Sequence, residues 1–320
     1  MRLPSRRQAL AAGVFSLLPA ALGATPSYPG APITLLVPWP AGGGTDLTMR
    51  TLADQAALDL GQPVIIQNRP GAAGTLAMPA LVRSRPDGYT IAQLPQTVLR
   101  APHTRKVWWH PVRDVSPILQ LSGTTFGIVV PSDSPFHSLA DLLVWARSHP
   151  GELTVATNGV GSTPHLVMLE LLSLEGTPFV HVPYKGTSEQ MLAVAGGQVM
   201  VGVNSTGFAP YVESGQLRLL VTFGEHRSKR WSDTPTLKEL GYSIVAMSPY
   251  GLVGPKGLPI EIVDRLHDAF KKALFSAPHL SELAKYDQEP TYLGSKDYGR
   301  ALQERFVAEQ GYVERLRLAP

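Results

Sequence analysis

The chain has 320 residues, 44% of them hydrophobic and 17% charged, and no cysteine. Those proportions fit one large or two ordinary folded domains and exclude disorder, disulfides, thiol catalysis, thiolate metal sites and a lipidated-cysteine anchor. The formal charge of +3 rests on Arg2, Arg6 and Arg7, the only charged side chains among residues 1–24, so the remainder is formally neutral and carries no basic stripe for nucleic acid.

The first predicted element is a signal peptide over residues 1–24. "MRLPSRRQAL" is a cationic start, "ALAAGVFSLLPAAL" an apolar run too short to span a bilayer comfortably, and "ALGA" offers small residues for cleavage near Gly23 or Ala24. "SRRQAL" resembles a twin-arginine export signal, with Ala9 where phenylalanine is usual, and leaves both export routes open. With no second long apolar run, the processed protein is expected in the periplasm as a soluble monomer.

Beyond it, "ITLLV" (33–37) reads as a buried strand. The next helix sets Met49, Leu52, Ala53, Ala56 and Leu60 on one face at spacings of three and four, and Gly61 followed by Pro63 ends it. "VIIQN" is a strand, "RPGAAG" a turn, a helix runs to about Arg85 despite Pro79, and "YTIAQL" is a third strand. This β-α-β-α-β order predicts a doubly wound parallel sheet. After "FGIVV" (126–130) the alternation restarts. Ser138 and Asp141 form a capping box for the helix "LADLLVWARS". "LTVAT", "FVHV" and "VMVGVN" are strands, separated by the helices "HLVMLELLSLE" and "SEQMLAVAGG". A short helix near "FAPYVES" leads to the strand "LRLLVTF", and "YGLVGP" reads as a strand leading back. Two terminal helices follow, "PIEIVDRLHDAFKKALFS" and "DYGRALQERFVAEQGYVERL". The chain therefore predicts two α/β units, near residues 28–125 and 128–245.

Two glycine-rich turns stand at matching places in these units. "AGGGTD" (41–46) and "NGVGSTPH" (158–165) each join the carboxyl end of a strand to a helix start; in the second, Thr163 is placed to cap the helix, with Pro164 at its first position. A helix start leaves N–H groups unpaired at the positive end of the dipole, and glycine lets a ligand approach the backbone. A small anion, especially a carboxylate, is the natural guest of two such turns facing across a cleft. A Cβ at Gly43 or Gly161 is expected to crowd that guest.

Enzyme motifs are missing. "GVGST" is not G-x-S-x-G, "AGGGTDL" does not satisfy G-x-G-x-x-G, and no G-K-[ST] loop exists. The nine histidines show no metal-ligand spacing, and no metal or cofactor is expected. His181 falls in a strand, as a core or rim residue, and "WWHP" (108–111) reads as packing.

The sequence resembles the Bug family, periplasmic solute-binding receptors of tripartite tricarboxylate transporters, from about Pro32 to the C-terminal helix. Its landmarks are "VPWPAGGGTD", "LGQPVIIQNRPGAAG", "PDGYT", "NGVGSTPHL", "VPYKGTSEQMLAVAGGQV", "SGQLRLLVTFGEHRS" and "DTPTLKELGY", in that order. The resemblance implies an α/β fold, a two-lobed periplasmic binding protein of type II-like clamshell form, each lobe a mostly parallel sheet flanked by helices. It implies lobe 1 over 28–127 plus 250–320 and lobe 2 over 128–249. It also implies a small carboxylate held in the cleft, largely by backbone amides and water.

Carried to matching positions, the first binding loop is Pro40, Ala41, Gly42, Gly43, Gly44, Thr45 and Asp46. The opposing loop runs from Asn158 through Gly161, Ser162 and Thr163 to His165, and Lys185 stands near the cleft. After "GGQV" the family usually has an acid at once and another four residues on; here Met200 and Asn204 stand there. A "GT" turn usual after "PDGYT" is replaced by "QLPQT", whose Gln96 is placed to reach the distal end of a ligand. The expected partners are cognate membrane transporter subunits or, in a second reading, a sensor protein. A secreted α/β enzyme is a further alternative, for which no nucleophile–base pair is present.

Overall fold

The computed structural model describes residues 28–318; the expected signal peptide lies outside them. Strands β1 (Ile33–Val37), β2 (Val64–Asn68) and β3 (Thr90–Leu94) pair in parallel, with β1 central. Alternate β1 residues Ile33, Leu35 and Val37 are wholly buried because both faces of the sheet are covered. Helix α1 (Gly44–Leu60) packs its buried face of Met49, Leu52, Ala53, Ala56 and Leu60 into this core. Gly61 ends it in the left-handed region at φ 69°, its N–H donating to the Ala57 carbonyl, as the sequence predicts. Pro79 is tolerated because α2 (Ala77–Val82) starts only two residues before it, where helical N–H groups lack acceptors anyway.

Sequence periodicity missed helix α3 (Gln96–Thr104). Its buried positions include the polar Gln96, Thr97 and Arg100, so no apolar stripe announces it. Strand β4 (Val115–Pro131) is far longer than the predicted 126–130, because the polar run Ser122-Gly123-Thr124-Thr125 hides its middle. From Val115 to Thr125 it pairs antiparallel with β9 (Met247–Pro255), the predicted return strand. From Phe126 onward it pairs with β7 (Val201–Ser205) and β8 (Leu217–Thr222). One strand thus belongs to both halves of the molecule, and the expected divisions at 127/128 and 249/250 fall inside β4 and β9.

The second half repeats the βα rhythm. Helix α4 (Leu139–Ser148) has the expected capping box, Ser138 accepting from the Asp141 N–H while the Asp141 carboxylate accepts from the Ser138 N–H. Strand β5 (Thr154–Thr157) runs parallel between β6 (Val180–Pro183) and β7, linked by α5 (Thr163–Leu174) and α6 (Thr187–Ala195). The short helix α7 (Ala209–Glu213) precedes β8. A separate core gathers Ile128, Val130, Leu142, Val155, Leu171, Val203 and Phe223. The chain is thus a two-lobed α/β protein. After β9 come α8 (Ile260–Leu274), α9 (Ala277–Lys285), β10 (Pro290–Gly294) and α10 (Ser295–Arg315). Neither α9 nor β10 was predicted; β10 pairs with β4 through a register shift and alternates too weakly to stand out.

Candidate functional site

The first turn is organised from below by Asp46, which is 1% exposed. Its carboxylate accepts from the Gly42 N–H at 2.9 Å, from Asn68 Nδ2 at 2.7 Å, and from Arg50 through Nε at 2.8 Å and Nη2 at 3.0 Å. Burial alone would raise its pKa, but the bonds from Arg50, Asn68 and Gly42 outweigh it and hold the group below the usual carboxylate range. Asn68 also donates to the Trp39 carbonyl at 2.9 Å, fastening the turn to the end of β2. Gly42 sits at φ 79° and needs to be glycine; Gly43, the N-cap of α1, sits at φ −80° and does not. Gly44 is backed by the Tyr286 ring, which a Cβ there would meet at 2.8 Å.

In the second turn the cap of α5 is Ser162, one residue earlier than predicted. Its Oγ accepts from the His165 N–H, which places Thr163 and Pro164 inside the first turn. Gly161, at φ 76°, donates its N–H to His165 Nδ1 at 3.2 Å. The His165 ring stacks on His181 with centroids 4.0 Å apart, and His181 Nε2 bonds Thr157 Oγ1 at 2.7 Å. Burial, with His181 and Arg100 nearby, pushes His165 down to about 4, so at neutral pH it is uncharged and its Nδ1 can accept.

Two further helix starts join these turns: that of α6, a predicted helix whose place at the site was not, and that of α3, which was not predicted at all. Helix α6 begins at Gly186 with Thr187, Ser188 and Glu189, and α3 begins at Pro95. The signal for the first stood in "YKGTSEQ", a strand followed by glycine, two hydroxyl residues and an acid.

All four starts border one cavity of about 220 Å³ at the carboxyl ends of the parallel strands. Its walls are Trp39, Pro40, Ala41, Gly43, Gly44 and Thr45 from the first turn, and Asn158, Ser162, Thr163 and Pro164 from the second. Gly186, Thr187, Ser188 and Glu189 add a third side; Gln93, Pro95 and Thr97 a fourth. Thr124 and Phe126 of β4, Ser205, and Ser248 and Tyr250 of β9 close the floor. No lysine, arginine or histidine lies in these walls, so the positive partial charges they offer an anion are those of backbone N–H groups at the helix starts. Glu189 is the one carboxylate in them.

Several predicted residues stand behind this lining. Gly42, Asp46, Gly161 and His165 shape the turns. Gln96 turns away and donates to Glu309 at 2.7 Å, leaving its neighbours Pro95 and Thr97 at the wall. Lys185 is exposed and outside the lining. Asn204 is fully buried beneath α6, donating to Gln190 and accepting from Thr187 Oγ1 at 3.2 Å and the Ser205 N–H at 2.7 Å.

Residues 48–318 match the family model described as "Tripartite tricarboxylate transporter family receptor". The "UPF0065 protein in gbd 5'region" of Cupriavidus necator is 47% identical over 292 residues, covering 91% of this chain and 89% of that protein. MatC from Rhodopseudomonas palustris, solved with bound malate, superposes with a TM-score of 0.82 at 26% identity, covering 89% of this chain and 100% of that one. A second R. palustris protein, solved with adipate, gives 0.86 at 27% identity, covering 92% and 99%.

Proposed function

Because the chain belongs to the tripartite tricarboxylate transporter receptor family, we propose that it is a periplasmic solute-binding protein that captures a small carboxylate in the interlobe cavity and delivers it to a tripartite membrane transporter. The observation that carries this reading is the convergence of four helix starts on one small cavity whose walls hold no cationic side chain. Such a site suits an anion small enough to be gripped by N–H and O–H groups. Two relatives of the same fold were solved with malate and with adipate, which makes mono- and dicarboxylates the ligand class to test. No helix among the described residues is long and apolar enough to cross a membrane.

Micromolar affinity needs about −8 kcal/mol. Helix dipoles at roughly 0.3–1 kcal/mol each in exposed settings fall short. Charge-assisted hydrogen bonds at about 1.5–3 kcal/mol each, made by several turns in a closed cleft, supply it. Closure is a swing of one lobe on the other about the two strands that connect them, β4 and the approach to β9. A thermal-shift screen of the processed protein against small carboxylates tests the reading: stabilisation by members of this class supports it, and stabilisation only by sugars or cations contradicts it.

A further inference from the structure

We infer that Arg100 is a positioning residue for the second turn, and that it makes the C-terminal helix α10 part of the ligand-binding machinery. Arg100 on α3 and Glu309 on α10 form an ion pair whose side chains are 2% and 7% exposed. One edge of the guanidinium is spent on Glu309, with Nε to Oε2 at 2.5 Å and Nη2 to Oε1 at 3.0 Å, and Gln96 adds a bond to the same carboxylate. The planar fork then aims Nη1 away from Glu309, and it donates to the Gly161 carbonyl at 2.9 Å. Arg100 belongs to the half that holds β1 and β3, Gly161 to the half that holds β5, so this bond spans the cleft.

A buried ion pair is a poor source of net stability, because desolvation offsets its attraction. Its value here is geometric. Gly161 lies between two fixed contacts, its N–H on His165 and its carbonyl on Arg100. Both peptide groups around the φ 76° residue are thereby held, and the start of α5 faces the cavity in one orientation. The pair is formally neutral, so Arg100 adds no net charge for the ligand; it sets where the turn stands once the lobes meet. A second contact between the same lobes, Tyr312 Oη donating to Glu170 at 3.0 Å, meets α5 nine residues past Gly161; the Tyr312 ring flanks the Arg100 guanidinium at 5.8 Å, so the control removes the hydroxyl alone and keeps the ring. The inference rests on the carboxylate-receptor reading for the identity of the ligand.

Hydrogen exchange read by mass spectrometry on the peptide covering residues 159–165 tests it, in the ligand-free protein and with millimolar malate or adipate. Arg100→Ala should exchange there about tenfold faster than wild type, with or without acid, the factor that loss of a hydrogen bond to a charged group produces. Arg100→Lys, which cannot hold both partners at once, should recover part of the protection. Tyr312→Phe should leave this peptide as in wild type. Should Arg100→Ala fail to fold, Glu309→Gln and Arg100→Lys carry the comparison. Equal exchange of wild type and the Arg100 variants in all three conditions overturns the proposal. So does equal loosening by Tyr312→Phe, which would reduce Arg100 to one closure contact among several. If neither acid protects the wild type, the choice of ligand class has failed, and the ligand-free comparison still decides the role of Arg100.

Discussion

Pro40 and Gly186 touch across the cleft: a Cβ at residue 186 would stand 2.6 Å from Pro40 Cγ. One belongs to the first turn and the other caps α6, so their contact records how closely the lobes approach. Gly186 is extended, at φ −161°, a conformation open to any residue. Gly186→Ala should therefore fold and melt as wild type but close incompletely, weakening carboxylate binding at least about tenfold, on the scale of a strained overpacked contact. Pro40→Ala in the same chain should restore most of the loss. Calorimetry on the single and double variants checks this, and unimpaired binding by Gly186→Ala would show that closure does not bring these residues together.

The glycines of the turns are not equivalent. The sequence predicts that a Cβ at Gly43 or Gly161 crowds the ligand; Gly43 lines the cavity, whereas Gly161 stands behind its walls. The structure gives Gly43 an ordinary φ and its Cβ an ordinary contact, 3.6 Å from the Pro40 carbonyl. Gly161→Ala should cost about 1–2 kcal/mol through its left-handed backbone, and Gly44→Ala about 1–3 kcal/mol through the Tyr286 ring. Gly43→Ala should be the mildest of the three in thermal melts; a larger loss there than at Gly44 contradicts this ordering.

Asn204→Asp restores an acid usual in the family, and its effect should fall on folding rather than ligand choice. Both Gln190 Nε2 hydrogens are already spent, on the Ala156 carbonyl at 2.8 Å and the Val203 carbonyl at 3.0 Å. The Gln190 oxygen that now accepts from Asn204 would face a carboxylate with no hydrogen to give. A buried acceptor left unpaired costs about 1–3 kcal/mol, more when charged. Chemical denaturation should show that loss, and an unchanged midpoint would contradict it.

Acid should loosen both the fold and the second turn. His165 is pushed from 6.5 to about 4, so between those values the unfolded chain binds a proton that the folded chain refuses. Stability therefore rises with pH across that window and is lost on acidification from neutrality. His279, fully buried and also lowered to about 4 by burial, acts in the same direction. Protonated His165 can no longer accept the Gly161 N–H. Melting temperatures should fall between about pH 7 and about pH 5, and His165→Gln should flatten part of the fall. A melting temperature that rises on acidification would contradict the assignment.

Glu189 tells against ligands with excess negative charge. It is exposed at the cavity wall, and no ion-pair partner is present for it among the described residues. Glu189→Gln should tighten binding of a dicarboxylate about two- to fivefold, the scale of an exposed charge interaction, with the gain shrinking at high salt. Calorimetry at two ionic strengths checks this; no change at either would remove Glu189 from the site.

The parts of the fold written in hydrophobic period were legible in the sequence. The stripe of α1, the buried strands β1 and β5, the Ser138 box and the Gly61 stop all stand as read, because local propensity and burial agree there. Polar buried segments were not legible. Helix α3 hides behind Gln96, Thr97 and Arg100, and β4 behind its polar middle, since their partners come from elsewhere in the chain. The site divides the same way. Glycine turns announced two walls of the cavity by their spacing. Asp46 and His165 stood within those motifs, but their task of shaping the turns from behind needs the bonds to Asn68, Gly42 and Gly161. The pairing of Arg100 with Glu309 spans most of the chain and has no local signature.

Titration calorimetry of the processed protein with a dicarboxylic acid and with its diamide, using malate and adipate as the acids, tests the central claim most directly. If backbone N–H groups at the helix starts hold a carboxylate, at least one acid should bind and its diamide should bind at least about a hundredfold more weakly, the loss of two charge-assisted hydrogen bonds. Equal affinity for an acid and its diamide would contradict the account, because the cavity would then be reading shape and neutral polarity rather than negative charge.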